Sequence, residues 1–461
     1  MIERKVMLED ILAAKEARRQ RQQAMLANSG LTLVSITVNM PGPIKDGMLL
    51  RKLCNYAAEK IKSRANVREE QIHYMWTGPE ALLSVDSNNA QAIKSVAISI
   101  EEANSFGRLL DIDVFTPAGD LVSRQQQGKG RNCLVCGQPA LVCMREQNHT
   151  ADELNEAVEA LLADFSAYLA RRISLTAEKI GALALQAMLY EASCTPAPGL
   201  VDRVNSGAHT DMDFYTFMAS SSALSMAMAR TAQAGINHND TLPKLLPVLR
   251  SIGKQAEREM LCATNGINTQ KGLLFSLGIV TAAAGWLWRE KRQLKTTEVL
   301  NTAARIVAGI VERELGVLAG KGEKVLTAGE RLYRDHGITG IRGELEQGLP
   351  AISDCALPML KKSLEEGLSI NDALLNTLLT LMTCVDDTTV MNRHNPEKMR
   401  SWVRDKAQSV LAEGGAATSK GRLKAEALDE EFTANNISPG GAADLLAVTW
   451  FLYQLENGLT L

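Results

Sequence analysis

The chain has 461 residues, a formal net charge of −3 and only 4% aromatic residues. That length admits two or three domains with sizeable cores, and the balanced charge excludes a surface built to bind nucleic acid. Eight cysteines and no apolar leader-like stretch argue for reduced thiols in a cytoplasmic protein.

Residues 7–28 read as a charged helix. Residues 31–39 are β-rich and stop at Pro41-Gly42-Pro43. A helix follows over 48–62, then short strands over 72–76 and 81–85 around Gly78-Pro79, a helix over 89–103, and an alternating strand over 109–115. This alternation predicts an α+β or α/β domain over residues 1–172. Thr150 with Glu153 three residues on is a capping-box signature. It opens a helix to about residue 172 that bridges to the next domain. From 173 to 461 nearly everything reads as helices of roughly ten to twenty residues, which predicts an all-α domain. Residues 336–344 are too glycine-rich for a good helix, and 412–422 read as a mobile loop able to order over a ligand. No segment reaches 18 uninterrupted apolar residues, so no membrane partner is expected.

Asp111 and Asp113 stand two apart in the strand 109–115, so both carboxylates share one face. Such a pair can hold Mg²⁺ against a polyphosphate; a solvated acidic strand face is the alternative. Lys45, Arg108 and Arg131 are nearby candidate phosphate contacts. Cys133, Cys136, Cys143 and His149 place three thiols and an imidazole within 17 residues. One C-x-x-C knuckle plus two further ligands suits a structural Zn²⁺, with buried reduced thiols as the competing reading.

The densest polar loop is EASCTPAPGLVDRVNSGAHTDMD, residues 191–213, which carries Asp202, Arg203, His209, Asp211 and Asp213 between prolines and glycines. Pro196, Pro198 and Gly199 forbid a continuous helix, and a rigid loop bearing metal-competent ligands is a natural place for chemistry. Lys271 follows a Gly/Asn-rich turn that opens an apolar helix, a geometry suited to phosphate. Glu330 and Arg342 lie in the clusters around 327–344, and Asp387 ends the apolar run LLNTLLTLMTC. Asp444 sits in the first turn of the last helix, where an acid complements the dipole.

The blocks PAPGLVDRVNSGAHTDMD, GINTQKGLLFSLG, LYRDHGITGIRGE and SPGGAADLLAVT resemble the triphosphoribosyl-dephospho-CoA synthase family. GRLLDIDVF, NMPGPIKD and RNCLVCGQPALVCMREQNHTADEL resemble the apo-citrate lyase phosphoribosyl-dephospho-CoA transferase family. Their order is similar to that of the fused, bifunctional citrate lyase prosthetic-group proteins of the CitXG type. Gln270, His336-Gly337 and Thr389 depart from the family pattern.

The resemblance implies an α+β, nucleotidyltransferase-like domain followed by an all-α domain. It implies two linked reactions. ATP and 3′-dephospho-CoA would give a triphosphoribosyl product and adenine. The phosphoribosyl-dephospho-CoA group would then pass to a serine of the citrate lyase acyl carrier subunit, releasing pyrophosphate. It casts Asp111, Asp113, Asp202, His209 and Glu330 as catalytic candidates, and Lys45, Arg108, Arg131, Lys271 and Arg342 as phosphate contacts. Asp111, Asp113, Asp211, Asp213 and Asp387 become Mg²⁺ ligands. Two readings compete with it: a helical Mg²⁺-dependent nucleotide or ADP-ribose hydrolase, and a zinc-stapled binding module.

Overall fold

The computed structural model describes residues 5–124, 130–289, 294–316 and 326–458. The chain divides into two compact units, Met1–Arg171 and Arg172–Leu461.

In the first unit, strands β1 (Thr32–Val38), β2 (Val67–Met75), β3 (Gly78–Val85) and β4 (Leu110–Phe115) form an antiparallel sheet in the order β2-β3-β1-β4. The β2–β3 pair is longer than its apolar residues announce. β2 is an edge strand that begins in the charged run Val67-Arg68-Glu69-Glu70, and an edge tolerates charge. Helices α2 (Met48–Lys62) and α3 (Ala90–Glu102) cover one face. There Leu53, Ala57, Ile61, Ile93 and Ile100 pack on Val34, Ile36, Leu83, Ile112 and Val114. Helix α1 (Leu8–Ser29) takes the other face through Met25, against Leu33 and Leu82.

β4 has alternating burial, with Leu110, Ile112 and Val114 inside. Its outer edge is closed by side chains of α3. Glu101 Oε1 accepts from Ile112 N at 2.9 Å, and Lys94 Nζ donates to Ile112 O at 2.7 Å. Both backbone groups of an edge residue are thereby satisfied without another strand.

A short helix α4 (Ala140–Glu146) precedes α5 (Ala151–Ser193). The Thr150–Glu153 capping box forms, with Glu153 N donating to Thr150 Oγ1 at 3.2 Å and Thr150 N to Glu153 Oε2 at 2.7 Å. α5 does not stop near residue 172 but runs 43 residues. Gly181 is the one helix breaker in that span, and its missing side chain admits the backbone of Ala229.

Every regular element described after α5 is helical. The core centres on α6 (Phe214–Asn237), α7 (Leu245–Ala263), α8 (Lys271–Trp288) and α9 (Thr296–Val307). α8 is the single described helix long and apolar enough to span a membrane, and it lies buried in this core. Two expectations are corrected. Residues 340–346 are helical, because Gly337 in the left-handed region (φ 68) ends the preceding helix Ala328–His336 and lets a new one start at Gly340. Residues 412–422 are a packed turn leading into the helix Ser419–Ala434, rather than a loop over a ligand. Ala416 N donates to the buried Asn376 Oδ1 at 2.7 Å, and Gly421 packs on the backbone of Gly415.

Candidate active sites

In the first unit Asp113 pairs across the sheet with Ser35, and Asp111 with Thr37. Burial raises the Asp113 carboxyl above its usual range, and the neighbouring Asp111 raises it further. Two carboxylates thus press on each other at a strand edge, which leaves negative charge that a divalent cation would relieve. Arg131 bridges Asp111 (2.6 Å) and Glu101 (2.8 Å). A cavity of about 300 Å³ opens beside it, lined by Glu101, Asn104, Arg108, Arg124, Arg131 and Asn132. Arg108 donates to Cys133 O, so it anchors the segment that carries Arg131. Lys45 donates to Met40 O across the Pro41–Pro43 turn, and burial lowers its pKa.

The ligand atoms of Cys133, Cys136, Cys143 and His149 all lie within 4.8 Å of one another. Burial raises the Cys133 thiol, but hydrogen bonds from the Cys136 and Val135 amides, with those from the Cys143 and Cys136 thiols, together outweigh it and draw the pKa to about 7. Cys143 is pushed up to about 11, by burial and then by the neighbouring thiols.

The second unit contains a cavity of about 1320 Å³. It is walled by the end of α5, the loop 200–212, the N-terminus of α8 and the segments 337–344, 384–404 and 436–445. Of the acidic and basic residues singled out from sequence, His209, Asp211, Lys271, Asp387 and Asp444 are among those that line it.

His209 Nε2 lies 2.9 Å from Ser438 Oγ, and Nδ1 lies 3.6 Å from Asp211 Oδ1. Burial lowers the imidazole pKa, and Arg393 at 3.2 Å lowers it further. The ring is therefore neutral at pH 7 and able to accept a proton. Lys271 pairs with Glu257 at 2.5 Å. Asp387 is wholly buried and ties two helices together. Its Oδ1 accepts from Thr389 N (2.9 Å) and Val390 N (3.3 Å), while Oδ2 accepts from Ala442 N (2.8 Å).

Asp202, Asp213, Glu330 and Arg342 do not line this cavity. Asp202 is buried and accepts from the amides of Ala197, Val204 and Asn205, which folds its own loop. Asp213 is the N-cap of α6, accepting from Thr216 N at 2.8 Å. Glu330 closes the capping box with Thr327. Arg342 pairs with Glu314 at 2.9 Å and borders a second cavity of about 500 Å³.

Two further acids face the cavity: Glu191, which sequence reasoning gave no role, and Asp444, which it read as a complement to the helix dipole. Glu191 is buried and Asp444 half-buried on the cavity wall, and desolvation pushes both pKa values well up. Glu191 is raised further by Asp444, and Asp444 by Asp387. Glu191 ends an amphipathic helix, and nothing in its neighbours distinguishes it from a surface glutamate. Gln270 is also buried. Its Oε1 accepts from Ser220 (2.8 Å) and Ser221 (3.3 Å), while its Nε2 has no partner. A buried amide donor without a partner, on a residue that lines a cavity, marks a place for a ligand acceptor.

Residues 177–461 match the family described as ATP:dephospho-CoA triphosphoribosyl transferase, and residues 6–165 match apo-citrate lyase phosphoribosyl-dephospho-CoA transferase. The chain is 33% identical over 461 residues to Protein CitXG of Leuconostoc mesenteroides subsp. cremoris, covering 98% of each. It is 33% identical to Protein CitXG of Haemophilus influenzae, over 98% of this chain and 97% of that one. Over 279 residues it is 42% identical to a probable 2-(5''-triphosphoribosyl)-3'-dephosphocoenzyme-A synthase of Malonomonas rubra, which spans 60% of this chain and 88% of the relative.

Proposed function

The chain belongs to the fused citrate lyase prosthetic-group proteins, in which an apo-citrate lyase phosphoribosyl-dephospho-CoA transferase is joined to an ATP:dephospho-CoA triphosphoribosyl transferase, and from that membership we propose how its own residues divide the two reactions. It is a bifunctional transferase.

The second unit joins ATP to 3′-dephospho-CoA. The 2′-hydroxyl of dephospho-CoA attacks C1′ of the ATP ribose, the C1′–N9 bond breaks and adenine leaves. The observation that carries the assignment is the cavity that gathers His209, Gln270, Glu191 and Asp444. His209, held by Asp211 and neutral at pH 7, takes the 2′-hydroxyl proton on Nε2. Gln270 Nε2 donates to a ring nitrogen of the departing adenine. Arg393, Arg400 and Arg404 line the same cavity and face the polyphosphate. Asp387 fixes the two helix starts that shape the wall.

Glu191 and Asp444, two repelling carboxyls on one cavity wall, would suit a divalent cation. These residues would hold a Mg²⁺ that would neutralise the triphosphate. The 500 Å³ cavity shares Lys271 and Ile341 with the first and is walled by Leu246, Leu249, Leu274 and Phe275. Its apolar walls fit the pantetheine arm.

The first unit transfers the phosphoribosyl-dephospho-CoA group to apo-citrate lyase, and we take the acceptor to be a serine of the acyl carrier subunit. We read its fold as nucleotidyltransferase-like, with Asp111 and Asp113 as the Mg²⁺ ligands and Arg131 on the leaving pyrophosphate. The Cys133–His149 cluster has the donor set of a structural Zn²⁺ site, whose four protein ligands leave no position for chemistry.

Incubation with ATP, dephospho-CoA and Mg²⁺ tests the first assignment. Free adenine should appear only when dephospho-CoA is present. Adenine or ADP-ribose products formed with water alone would favour a hydrolase. Asp111→Asn and Asp113→Asn should stop labelling of the carrier while adenine release continues.

A further inference from the structure

The geometry points to one Zn²⁺ bound by Cys133, Cys136, Cys143 and His149 that holds Arg131 in place against Asp111. This inference rests on the reading of Asp111 and Arg131 as part of the transferase site.

The donor atoms are already gathered. Cys136 Sγ stands 3.4 Å from Cys143 Sγ and 3.2 Å from His149 Nε2. Bonds of about 2.3 Å to sulfur and about 2.0 Å to nitrogen place the ligands of a tetrahedral zinc roughly 3.5 Å apart. The local chain builds the cage. Asn132 and Pro139 form an antiparallel bridge, and Cys133 N donates to Gln138 O at 2.6 Å. Gly137, at φ 73, turns the chain between them. The amides of Val135 and Cys136 thereby face the Cys133 sulfur, as they do when a C-x-x-C loop wraps a metal. Cys143 comes from α4. Gln147, at φ 53, ends that helix and returns His149 to Cys136.

Packing accounts for little of this order. Between residues 130 and 149 only Cys133 and Cys143 are buried, while Val135, Leu141, Val142 and Met144 are exposed. Leu134 is the one apolar side chain of these twenty residues packed on the neighbouring core, so the segment needs another source of cohesion, and a bound metal supplies it.

The same segment positions Arg131. Its carbonyl accepts from Ala140 N at 2.8 Å, its neighbour Cys133 is anchored by Arg108, and its guanidinium reaches both Asp111 and Glu101. The ion therefore fixes one wall of the 300 Å³ cavity without touching substrate.

The test uses the full chain purified under reducing conditions with zinc supplied. Metal analysis should find one zinc per chain. Cys143→Ser and His149→Ala should lose it, and carrier labelling should fall about tenfold or more, the scale seen when a metal's support is removed. Adenine release should stay unchanged, which separates this loss from general unfolding. His149→Cys should keep both the zinc and the labelling. Wild-type protein with no zinc, and with three freely titrating thiols in the cluster, would overturn the site. Zinc loss with labelling intact would overturn the link to Arg131. Zinc-loaded wild-type protein that labels no carrier would refute the transferase reading and leave the metal site standing.

Discussion

Gly272 and Asp444 occupy one space: a β-carbon on Gly272 would fall inside the van der Waals envelope of Asp444 Oδ2. The carboxyl accepts from the Leu273 amide at the N-terminus of α8, where the helix dipole favours an acid. The missing side chain of one residue thus sets the position of the other. Gly272→Ala should push Asp444 out of the cavity and cut adenine release by about tenfold or more, one factor of ten being about 1.4 kcal/mol. Gly329→Ala, where a β-carbon meets nothing within 4 Å, should leave adenine release unchanged.

Glu191 is held in the folded protein with its pKa raised well above the usual glutamate range by burial and by Asp444. The folded state therefore keeps a proton that the unfolded state has lost. Stability falls as pH rises above the unfolded value and through the folded one. Without Mg²⁺, Glu191→Gln should melt higher than wild type at pH 7 to 8, by about 2 °C or more. The gap should close below about pH 4.5. Mg²⁺ binding to wild type should release protons, readable by calorimetry in two buffers of different ionisation enthalpy.

The His209 imidazole titrates below its ordinary value of 6.5 because of burial and then Arg393, while Asp211 pulls the other way. Its basic form is the working one, so adenine release should decline only as pH drops below 6.5. Asp211→Asn removes a raising influence and should move that acid limb to lower pH. Arg393→Gln removes a lowering influence and should move it up toward 6.5. Limbs that stay fixed in both variants would exclude His209 as the proton acceptor.

Gln270 lines the cavity, is held by two serine hydroxyls and keeps a buried Nε2 with no partner. Gln270→Leu keeps the bulk and deletes the donor. It should weaken ATP use by about 1 to 3 kcal/mol, the cost of leaving a buried partner unpaired. The deficit should show in kcat/KM for ATP, with that for dephospho-CoA much less affected.

Asp202 accepts three backbone amides within its own loop and does not line the cavity. Asp202→Ala should therefore act first on stability. It strands buried N–H groups and should cost about 1 to 3 kcal/mol in denaturant unfolding. An unchanged unfolding midpoint with lost activity would assign it to chemistry instead.

The chain's local signals fix much of its architecture. Alternation of Leu110, Ile112 and Val114 with Asp111 and Asp113 sets the faces of β4, and Thr150 with Glu153 starts α5. Spacing alone brings Cys133, Cys136, Cys143 and His149 into one list of ligands. These are short-range effects, where period, capping and turn chemistry act within a few residues. Which acids face the large cavity is a different kind of fact. Asp202 and Asp213 stand in the densest polar loop, yet they spend their oxygens on nearby amides. Glu191 and Asp444 look ordinary in their helices, yet the packing of α5, α8 and the last helix brings them to one cavity wall. A carboxylate's direction depends on which backbone groups it must satisfy and on what packs behind it. Residues from distant parts of the chain decide both, so only the tertiary structure reveals the answer.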